Sequence, residues 1–331
     1  MAERLLNIVR RFPDRKLLIV GDSIADKFLT GSIARVSREA PVFILRHEST
    51  ETVPGGAANC ALNLAALGAN VSLISIAGND EAGQALCNKL SAAGVNIDGL
   101  VLSDQVQTTT KVRILAGHAH AAKQQVIRVD YEDAPLKDTS LRESITAQLK
   151  SALNAADAVI ISDYNYGLVD ERVVELVREA QRTKNIPVLI DSRFRLADFS
   201  GFTAATPNQD EVEQVLGQSI TSLAQLESLA SRLKEQLQYK ALLVTRGSRG
   251  MMLLTDDALP LHIPAVGAQA VDGTGAGDTV IATFALALAS DATFAEAAQL
   301  ANHAGGLVVM KRGTASISAA ELEHSINDSK P

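Results

Sequence analysis

Short apolar runs closed by polar or glycine punctuation recur along the chain. They are Leu17–Val20 before Gly21-Asp22, then Val71–Ile76, Ala158–Ile161, Pro187–Ile190 and Ala241–Val244. Runs of this length without polar alternation predict strands buried on both faces, as in a parallel sheet. Between them apolar positions fall at helical spacing, over Ala57–Leu67, Glu81–Ala93, Leu141–Leu153, Glu171–Thr183 and Leu223–Leu237, and again over Val280–Ala289. Alternation of the two patterns predicts an α/β fold, a doubly wound and mostly parallel sheet with helices on both faces. Ligands of such sheets sit beyond the carboxyl ends of the strands, which groups Asp22, Asp163, Asp191 and Arg246 on one working edge.

Two stretches break the alternation. Phe28–Val53 and Thr108–Glu132 carry β-branched residues in alternating patterns without a convincing helix, with His118 and His120 at a hairpin tip of the second. Both read as an antiparallel flap outside the main sheet, or as ordinary surface hairpins. No linker, repeat or low-complexity segment divides the chain, so residues 1–331 read as one domain, with lid segments at about 28–53 and 108–132 inserted in it.

Composition narrows the function. Aromatic residues make up 4% of the chain and Trp is absent, which argues against stacking platforms for single-stranded nucleic acid. The formal charge of −7 argues against a general polyanion binder, so any phosphate must be held by local groups. Met1–Lys16 carries both signs of charge and lacks the apolar stretch of a secretory signal, and Leu17–Val20 is far too short to span a bilayer. The expectation is a soluble, cytoplasmic protein with no nucleic-acid or membrane partner. Cys60 and Cys87 lie in apolar-periodic segments and read as buried, reduced thiols. His118 and His120 have metal-like spacing, but nothing nearby completes a site.

Candidate chemistry concentrates at Val271-Asp272-Gly273-Thr274-Gly275-Ala276-Gly277-Asp278-Thr279, directly before the apolar helix. Its glycines let the backbone turn several N–H groups toward one point, and the helix N-terminus adds a positive dipole end. A carboxylate among anion-binding amides repels a bound phosphate, so Asp278 needs a reason. A general base beside a transferred phosphoryl group is one; an acidic residue favoured by the helix dipole is the other.

Asp272-Gly273-Thr274-Gly275-Ala276-Gly277-Asp278 resembles the C-terminal signature of the ribokinase-like sugar kinases, and Gly55-Gly56-Ala57-Ala58-Asn59 resembles their second signature. Within that family the chain is similar to the bacterial kinases of D-glycero-D-manno-heptose 7-phosphate. The likeness runs through Gly21-Asp22 with Asp26, Ser37-Arg38-Glu39-Ala40-Pro41-Val42, Thr110-Lys111-Val112-Arg113, Gln124-Gln125, Ile127-Arg128, Asp130, Ser162-Asp163-Tyr164, Thr206-Pro207-Asn208 with Glu211, Ala301-Asn302 and Gly313-Thr314. It covers essentially the whole chain.

The resemblance implies a ribokinase-like fold whose β lid covers the sugar and pairs with a second subunit's lid, giving a homodimer. It implies an ATP-dependent kinase that phosphorylates the anomeric hydroxyl of the heptose phosphate, a step toward ADP-heptose and lipopolysaccharide. Asp278 would be the base, with the amides of Gly275, Ala276 and Gly277 receiving charge on the γ-phosphate. Asp26 and Asn59 would contact sugar hydroxyls, with Gly55 and Gly56 letting the backbone approach the ring; Asn59 also suits a helix cap. Asp163 joins the substrate group. Asn208 and Glu211 would organise Mg²⁺ and phosphates largely through water, and also suit a capped helix start. Thr245, Arg246, Gly247 and Gly250 would form the nucleotide-phosphate loop, and Asn302 and Gly305 an adenine-side wall. Asp272 and Thr274, with the Lys311–Ser316 loop, resemble a site for an activating monovalent cation such as K⁺. Arg35, Arg38, Lys111, Arg113 and Arg128 are the cations available to a second substrate phosphate, or else a solvated lid face.

Two departures from the heptose-kinase pattern touch the choice of sugar. Tyr166 replaces a usual lysine, and Asp191-Ser192-Arg193 replaces an Asp-Pro-Lys element, with Arg193 restoring one positive charge. A kinase for another sugar or sugar phosphate is therefore the second reading, and a non-catalytic sugar-binding regulator the third. An NAD-linked oxidoreductase is disfavoured because Gly21-Asp22-Ser23-Ile24 lacks the dinucleotide-binding glycine pattern. The match ends close to Pro331, so an adenylyltransferase activity, fused to this kinase in some bacteria, is not expected here.

Overall fold

A computed structural model describes residues 1–118, 123–132, 138–256, 258–267, 271–311 and 313–328. Helix α1 (Ala2–Val9) leads into β1 (Lys16–Gly21), β2 (Ser23–Val36), β3 (Phe43–Gly56), α2 (Ala57–Ala66), β4 (Asn70–Gly78), α3 (Glu81–Ala92), β5 (Leu100–Ser103), β6 (Thr110–Gly117) and β7 (Gln124–Tyr131). Then follow α4 (Thr139–Leu153), β8 (Ala158–Asp163), α5 (Glu171–Lys184), β9 (Val188–Ser192), β10 (Ala204–Ala205), α6 (Gln209–Leu216), α7 (Leu223–Gln236) and β11 (Ala241–Thr245). The chain closes with β12 (Met251–Thr255), β13 (Leu261–Ile263), α8 (Ala276–Ala289), α9 (Phe294–Val308) and α10 (Ala319–Asp328).

Among the described residues the main sheet has nine strands, in the order β13-β12-β11-β10-β9-β8-β1-β4-β5. Its strands run parallel from β5 to β11, and β12 and β13 add an antiparallel edge. The apolar runs alternate between two cores. Leu17, Ile19, Leu73, Ile160 and Leu243 face α2, α8 and α9. Leu18, Val20, Ile74, Ile161 and Val244 face α4, α5 and α7. Residues on both faces are therefore excluded from water, which is why these strands lack polar alternation. Helix α8 is buried over almost its whole length and lies between the sheet and α9, as its all-round apolar sequence requires.

The chain leaves β1 for β4 and β5 on one side and returns to β8 on the other, so the topological switch lies at β1. Asp22 and Asp163 stand at the carboxyl ends of the two strands that meet there.

The two irregular stretches form one four-stranded sheet, in the order β3-β2-β6-β7. It differs from the expected flap in two ways. It begins at Ser23, immediately after β1, and β2 runs parallel to β6, so the sheet is mixed and not purely antiparallel. Thr108 is tied to the main domain by Asp80, whose carboxylate accepts from the Thr108 amide at 2.9 Å and its hydroxyl at 2.8 Å. His120, with Ala119, Ala121 and Ala122, lies outside the described residues. Among the described residues no cluster of three or more His, Cys, Asp or Glu gathers to hold a metal, and no helix is long and apolar enough to cross a membrane. Cys60 is buried as expected, whereas Cys87 is only partly covered.

Candidate active site

A cavity of about 790 Å³ opens where the carboxyl edge of the sheet, the start of α8 and the lid converge. The lid contributes Asp26, Lys111, Arg113, Arg128 and Asp130 to its wall. Asp191 and Thr245, near the carboxyl ends of β9 and β11, join Tyr164, Asn165, Tyr166 and Arg193 from the loops after the strands. Asn208 and Glu211 come from the start of α6, and Gly273, Thr274, Gly275, Gly277 and Asp278 from the start of α8.

The start of α8 is built around Gly275, which caps the helix in the left-handed conformation at φ 77°. A side chain there would also meet Asn59, whose Nδ2 would lie 2.6 Å from the added Cβ. Asp278 follows in the first helical turn and is 5% exposed. Its Oδ2 accepts from Asn59 Nδ2 at 2.6 Å and its Oδ1 from the Tyr164 hydroxyl at 3.2 Å. Burial pushes its pKa up to about 6, opposed by these hydrogen bonds and by Lys111, and assisted by Asp26. The carboxylate is thus held near the range where it can exchange a proton at neutral pH.

The amide nest is smaller than the sequence suggested. Gly275 and Gly277 line the cavity, but the Ala276 N–H donates to the Gly273 carbonyl at 3.2 Å and closes a turn. Asn59 also differs from expectation. It lies inside α2, where Gly56 is the cap, and it does not line the cavity. Asn63 donates to the Asn59 side-chain oxygen at 3.3 Å, which orients the Asn59 amide toward Asp278. Asn59 therefore reaches the site through the carboxylate it holds. Gly56 lines the cavity, while the space beside Gly55 is filled by Asp26, whose Oδ2 would lie 2.4 Å from a Cβ.

The lid cations divide by partner. Arg113 donates from Nε at 3.1 Å and Nη2 at 2.9 Å to Asp26 Oδ1. Arg128 is paired with Asp130 at 2.8 Å. Lys111 extends over the rings of Tyr164 and Tyr166, 5.7 and 5.8 Å from their centroids, and burial lowers its pKa. The Tyr166 hydroxyl donates to Glu132. Arg35 and Arg38 are exposed at the far end of the lid and do not line the cavity in this chain. Arg193 does line it, supplying a cation from the main domain.

On the opposite side Asn208 and Glu211 form a complete capping box, each side chain accepting from the other's amide at 2.9 Å. Both still face the cavity, so capping and ligand contact coexist. Burial raises the pKa of Glu211, and raises that of Asp191 well above the usual carboxylate range, with Asp278 and Glu211 adding repulsion. Thr245 lines the cavity, whereas Arg246, Gly247, Gly250, Asn302 and Gly305 do not. Gly250 fits tightly against the Ile263 carbonyl, Asn302 donates to the Pro264 carbonyl at 2.8 Å, and Gly305 packs on Val280. Asp163 likewise lies off the cavity, 1% exposed and accepting from the Ser192 hydroxyl at 2.7 Å. Asp272 accepts from the amides of Thr274 and Gly313, both at 2.9 Å, and so ties the start of α8 to the last loop.

Nothing in the sequence pattern assigns a role to Tyr164, although it belongs to the Ser162-Asp163-Tyr164 stretch. Thr314, in the last loop, also lines the cavity. A hydroxyl that meets a carboxylate from a distant segment leaves no local pattern to read.

The profile of pfkB family carbohydrate kinases matches residues 16–321. The chain is 41% identical over 317 residues to the bifunctional protein HldE of Pseudomonas syringae pv. syringae, covering 96% of this chain and 64% of that one. Its identity to HldE of Shewanella amazonensis is 42% over 312 residues, covering 94% of this chain and 63% of that one. The chain thus spans somewhat less than two thirds of these relatives. Among solved structures, phosphofructokinase-2 from Escherichia coli in complex with substrates and products superposes with a TM-score of 0.78 at 19% identity, covering 95% of this chain and 99% of that one. Arabidopsis thaliana ribokinase complexed with ribose and ATP superposes at 0.73 with 19% identity, covering 94% and 98%. At these identities the superpositions establish the ribokinase-like fold.

Proposed function

The chain belongs to the pfkB family of carbohydrate kinases, and from that premise we propose that it phosphorylates D-glycero-D-manno-heptose 7-phosphate at the anomeric hydroxyl, using ATP. The product would be the 1,7-bisphosphate, a precursor of ADP-heptose and lipopolysaccharide made in the cytoplasm. The observation that carries this reading is Asp278, a buried carboxylate held by Asn59 and Tyr164 at the head of α8 and facing a cavity with lid cations on its other side.

In this reading Asp278 takes the proton of the anomeric hydroxyl as that oxygen attacks the γ-phosphorus and ADP leaves. Phosphoryl transfer depends on positioning and charge stabilisation more than on covalent chemistry. Asp26 accepts from sugar hydroxyls, with burial raising its pKa and the paired Arg113 opposing that rise. The amides at Gly275 and Gly277 and the dipole of α8 receive the charge that builds on the transferred group. Lys111, with Arg113, Arg128 and Arg193, meets the phosphate already on the sugar. The donor set fits Mg²⁺, because Glu211 and Asp191 offer hard oxygens and Asn208 an amide oxygen at one wall. Mg²⁺ bound with ATP would neutralise phosphate charge there. Thr245 would meet the nucleotide phosphates, with Arg246, Gly247 and Gly250 shaping that loop, and Asn302 and Gly305 would support the adenine side from behind. Asp272 and Thr274 remain the candidates for K⁺.

A second reading keeps the reaction and changes the acceptor, because Tyr166 and Arg193 alter the wall that would select the sugar. The further activity of the bifunctional relatives is not assigned to this chain. The deciding experiment is ADP release measured against both anomers of heptose 7-phosphate, the unphosphorylated heptose, ribose, fructose and fructose 6-phosphate. Preference for a heptose 7-phosphate anomer supports the first reading, and preference for another acceptor replaces it with the second.

A further inference from the structure

We propose that Tyr164 is a positioning residue for phosphoryl transfer, its hydroxyl holding the Asp278 carboxylate in one orientation while Asp22 fixes the loop that carries it. The inference rests on the reading of Asp278 as the base.

The anchor is a buried carboxylate at the end of β1. Asp22 is 4% exposed, and its Oδ2 accepts from the amides of Tyr164 at 2.9 Å and Tyr166 at 3.1 Å. Its Oδ1 accepts from the Leu168 amide at 3.3 Å. One side chain therefore takes alternate N–H groups along the turn that follows β8. The Asp22 backbone also receives the Ala57 amide at 3.0 Å, joining this turn to the start of α2, the helix that carries Asn59.

The ring of Tyr164 is confined as well. A Cβ at Gly56 would lie 3.2 Å from Tyr164 Cε2 and 2.6 Å from the Asp22 carbonyl, so the missing side chain leaves room for the ring. Lys111 covers the ring at 5.7 Å. Backbone and ring are thus both fixed when the hydroxyl meets Asp278 Oδ1 at 3.2 Å. Burial beside Asp278 and Asp191 raises the phenol's pKa well above its ordinary value, so the group stays an O–H donor across the working pH range.

The consequence is a carboxylate with a donor on each oxygen. Asn59 holds Oδ2 and Tyr164 holds Oδ1, which fixes the plane of the group and leaves its remaining lone pairs for a hydroxyl in the cavity. Other charged or titratable groups reaching Asp278 are Asp26 from β2, Lys111 from β6, Asp191 from β9, and Cys60 on α2. None is altered by Tyr164→Phe, which keeps the ring and removes only the hydroxyl.

The test needs no substrate for its main readout. Protein with ¹³C-labelled aspartate carboxyls is titrated by NMR, and the signal missing from Asp278→Asn identifies Asp278. Its midpoint is expected near 6 in the unaltered protein. In Tyr164→Phe it should rise by roughly one unit, a tenfold change in proton affinity for one lost hydrogen bond to a charged group. Turnover of ATP with heptose 7-phosphate should fall with little change in the sugar's KM. Asp22→Asn should raise the midpoint too, but add nothing in the Tyr164→Phe background, because both act through one contact. An unmoved midpoint in Tyr164→Phe overturns the proposal, and additive shifts in the double variant overturn the part given to Asp22. Undiminished turnover by Asp278→Asn would instead remove the base itself, and the inference with it.

Discussion

Asn59 donates its side-chain N–H to Asp278 across 2.6 Å, although 219 residues separate the two. The contact joins the start of α2 to the start of α8, the two places where the sequence carries its glycine-rich signatures. Thr279 adds a second tie, its hydroxyl donating to Asn63 at 2.8 Å. The two signatures are therefore halves of one buried network, in which the first holds the carboxylate of the second.

Asp278→Asn separates activity from stability. As a lost general base it should lower kcat by about 10²–10⁴-fold while nucleotide binding persists. Stability should move the other way. The carboxyl has a folded pKa of about 6 against an ordinary value of 3.8, so the folded state binds the proton more tightly. Its contribution is most favourable below about 4 and is lost as pH rises through 6, leaving a buried charge that costs up to about 3 kcal/mol at neutral pH. The variant should melt higher than the parent at pH 8, with the gain shrinking toward pH 4.5. Thermal scans across that range, paired with ADP assays, would reject this account if the gain failed to depend on pH.

An Asp278 base would give the reaction an acid limb at the same pKa. With Asp278 needed ionised, the rate should fall tenfold per unit below about pH 6 in the free enzyme. A kcat/KM profile flat from pH 8 to 5 would argue against an Asp278 base.

Lys111 stands over the rings of Tyr164 and Tyr166, whereas Arg113, which also lies over Phe28, and Arg128 each pair with a carboxylate. Lys111→Met should raise KM for heptose 7-phosphate by about 10- to 100-fold, the worth of one charge-assisted contact. The unphosphorylated heptose should be nearly unaffected. Equal changes for both sugars would mean that Lys111 supports the wall and does not read a phosphate.

Gly275→Ala tests the geometry at the head of α8. The residue has φ 77°, and an added Cβ would press on Asn59 at 2.6 Å. Both strain and collision displace the Asn59–Asp278 contact, at a cost of about 1–3 kcal/mol in stability. Turnover should fall more than the sugar's KM rises, since the damage lies at the proposed base. Wild-type kcat in a folded variant would show that this contact does not govern the reaction.

The strand and helix runs were legible because burial on both sheet faces writes continuous apolar segments. The glycine nest was legible because tight turns demand glycine. What escaped was set by distance along the chain. The two residues of β10, Ala204–Ala205, owe their pairing to β9 and β11 on either side. The parallel pairing of β2 with β6 crosses most of the N-terminal half and follows no hairpin rule. Asn59 read as a sugar ligand because a sequence cannot reveal that Asp278 fills the space before it. Asp163 read as a site residue from its strand end, but its side chain turns to Ser192.

The lid's outer face argues for a dimer. Asp26, Phe28, Lys111, Arg113 and Arg128 share the face toward the cavity, because directly paired strand positions point the same way. The neighbouring positions therefore point outward, with Leu29, Ile114 and Ile127 in one row and Val112 and Val129 in the next. Ile127 is 53% exposed and Val129 40%, and Phe43 at the far end of the sheet is 58% exposed. An apolar sheet face of this kind is a surface that proteins ordinarily cover. A symmetric pairing of two lids would cover it with the same residues from a second copy and would steady the walls of both cavities. Ile127→Asp places a charge in the middle of that patch while leaving the cavity face untouched. It should yield monomers by light scattering and lower turnover together, with Asp26 and Arg113 intact. If the unaltered protein is already a monomer at assay concentration, the lid works within one chain and the pairing is excluded.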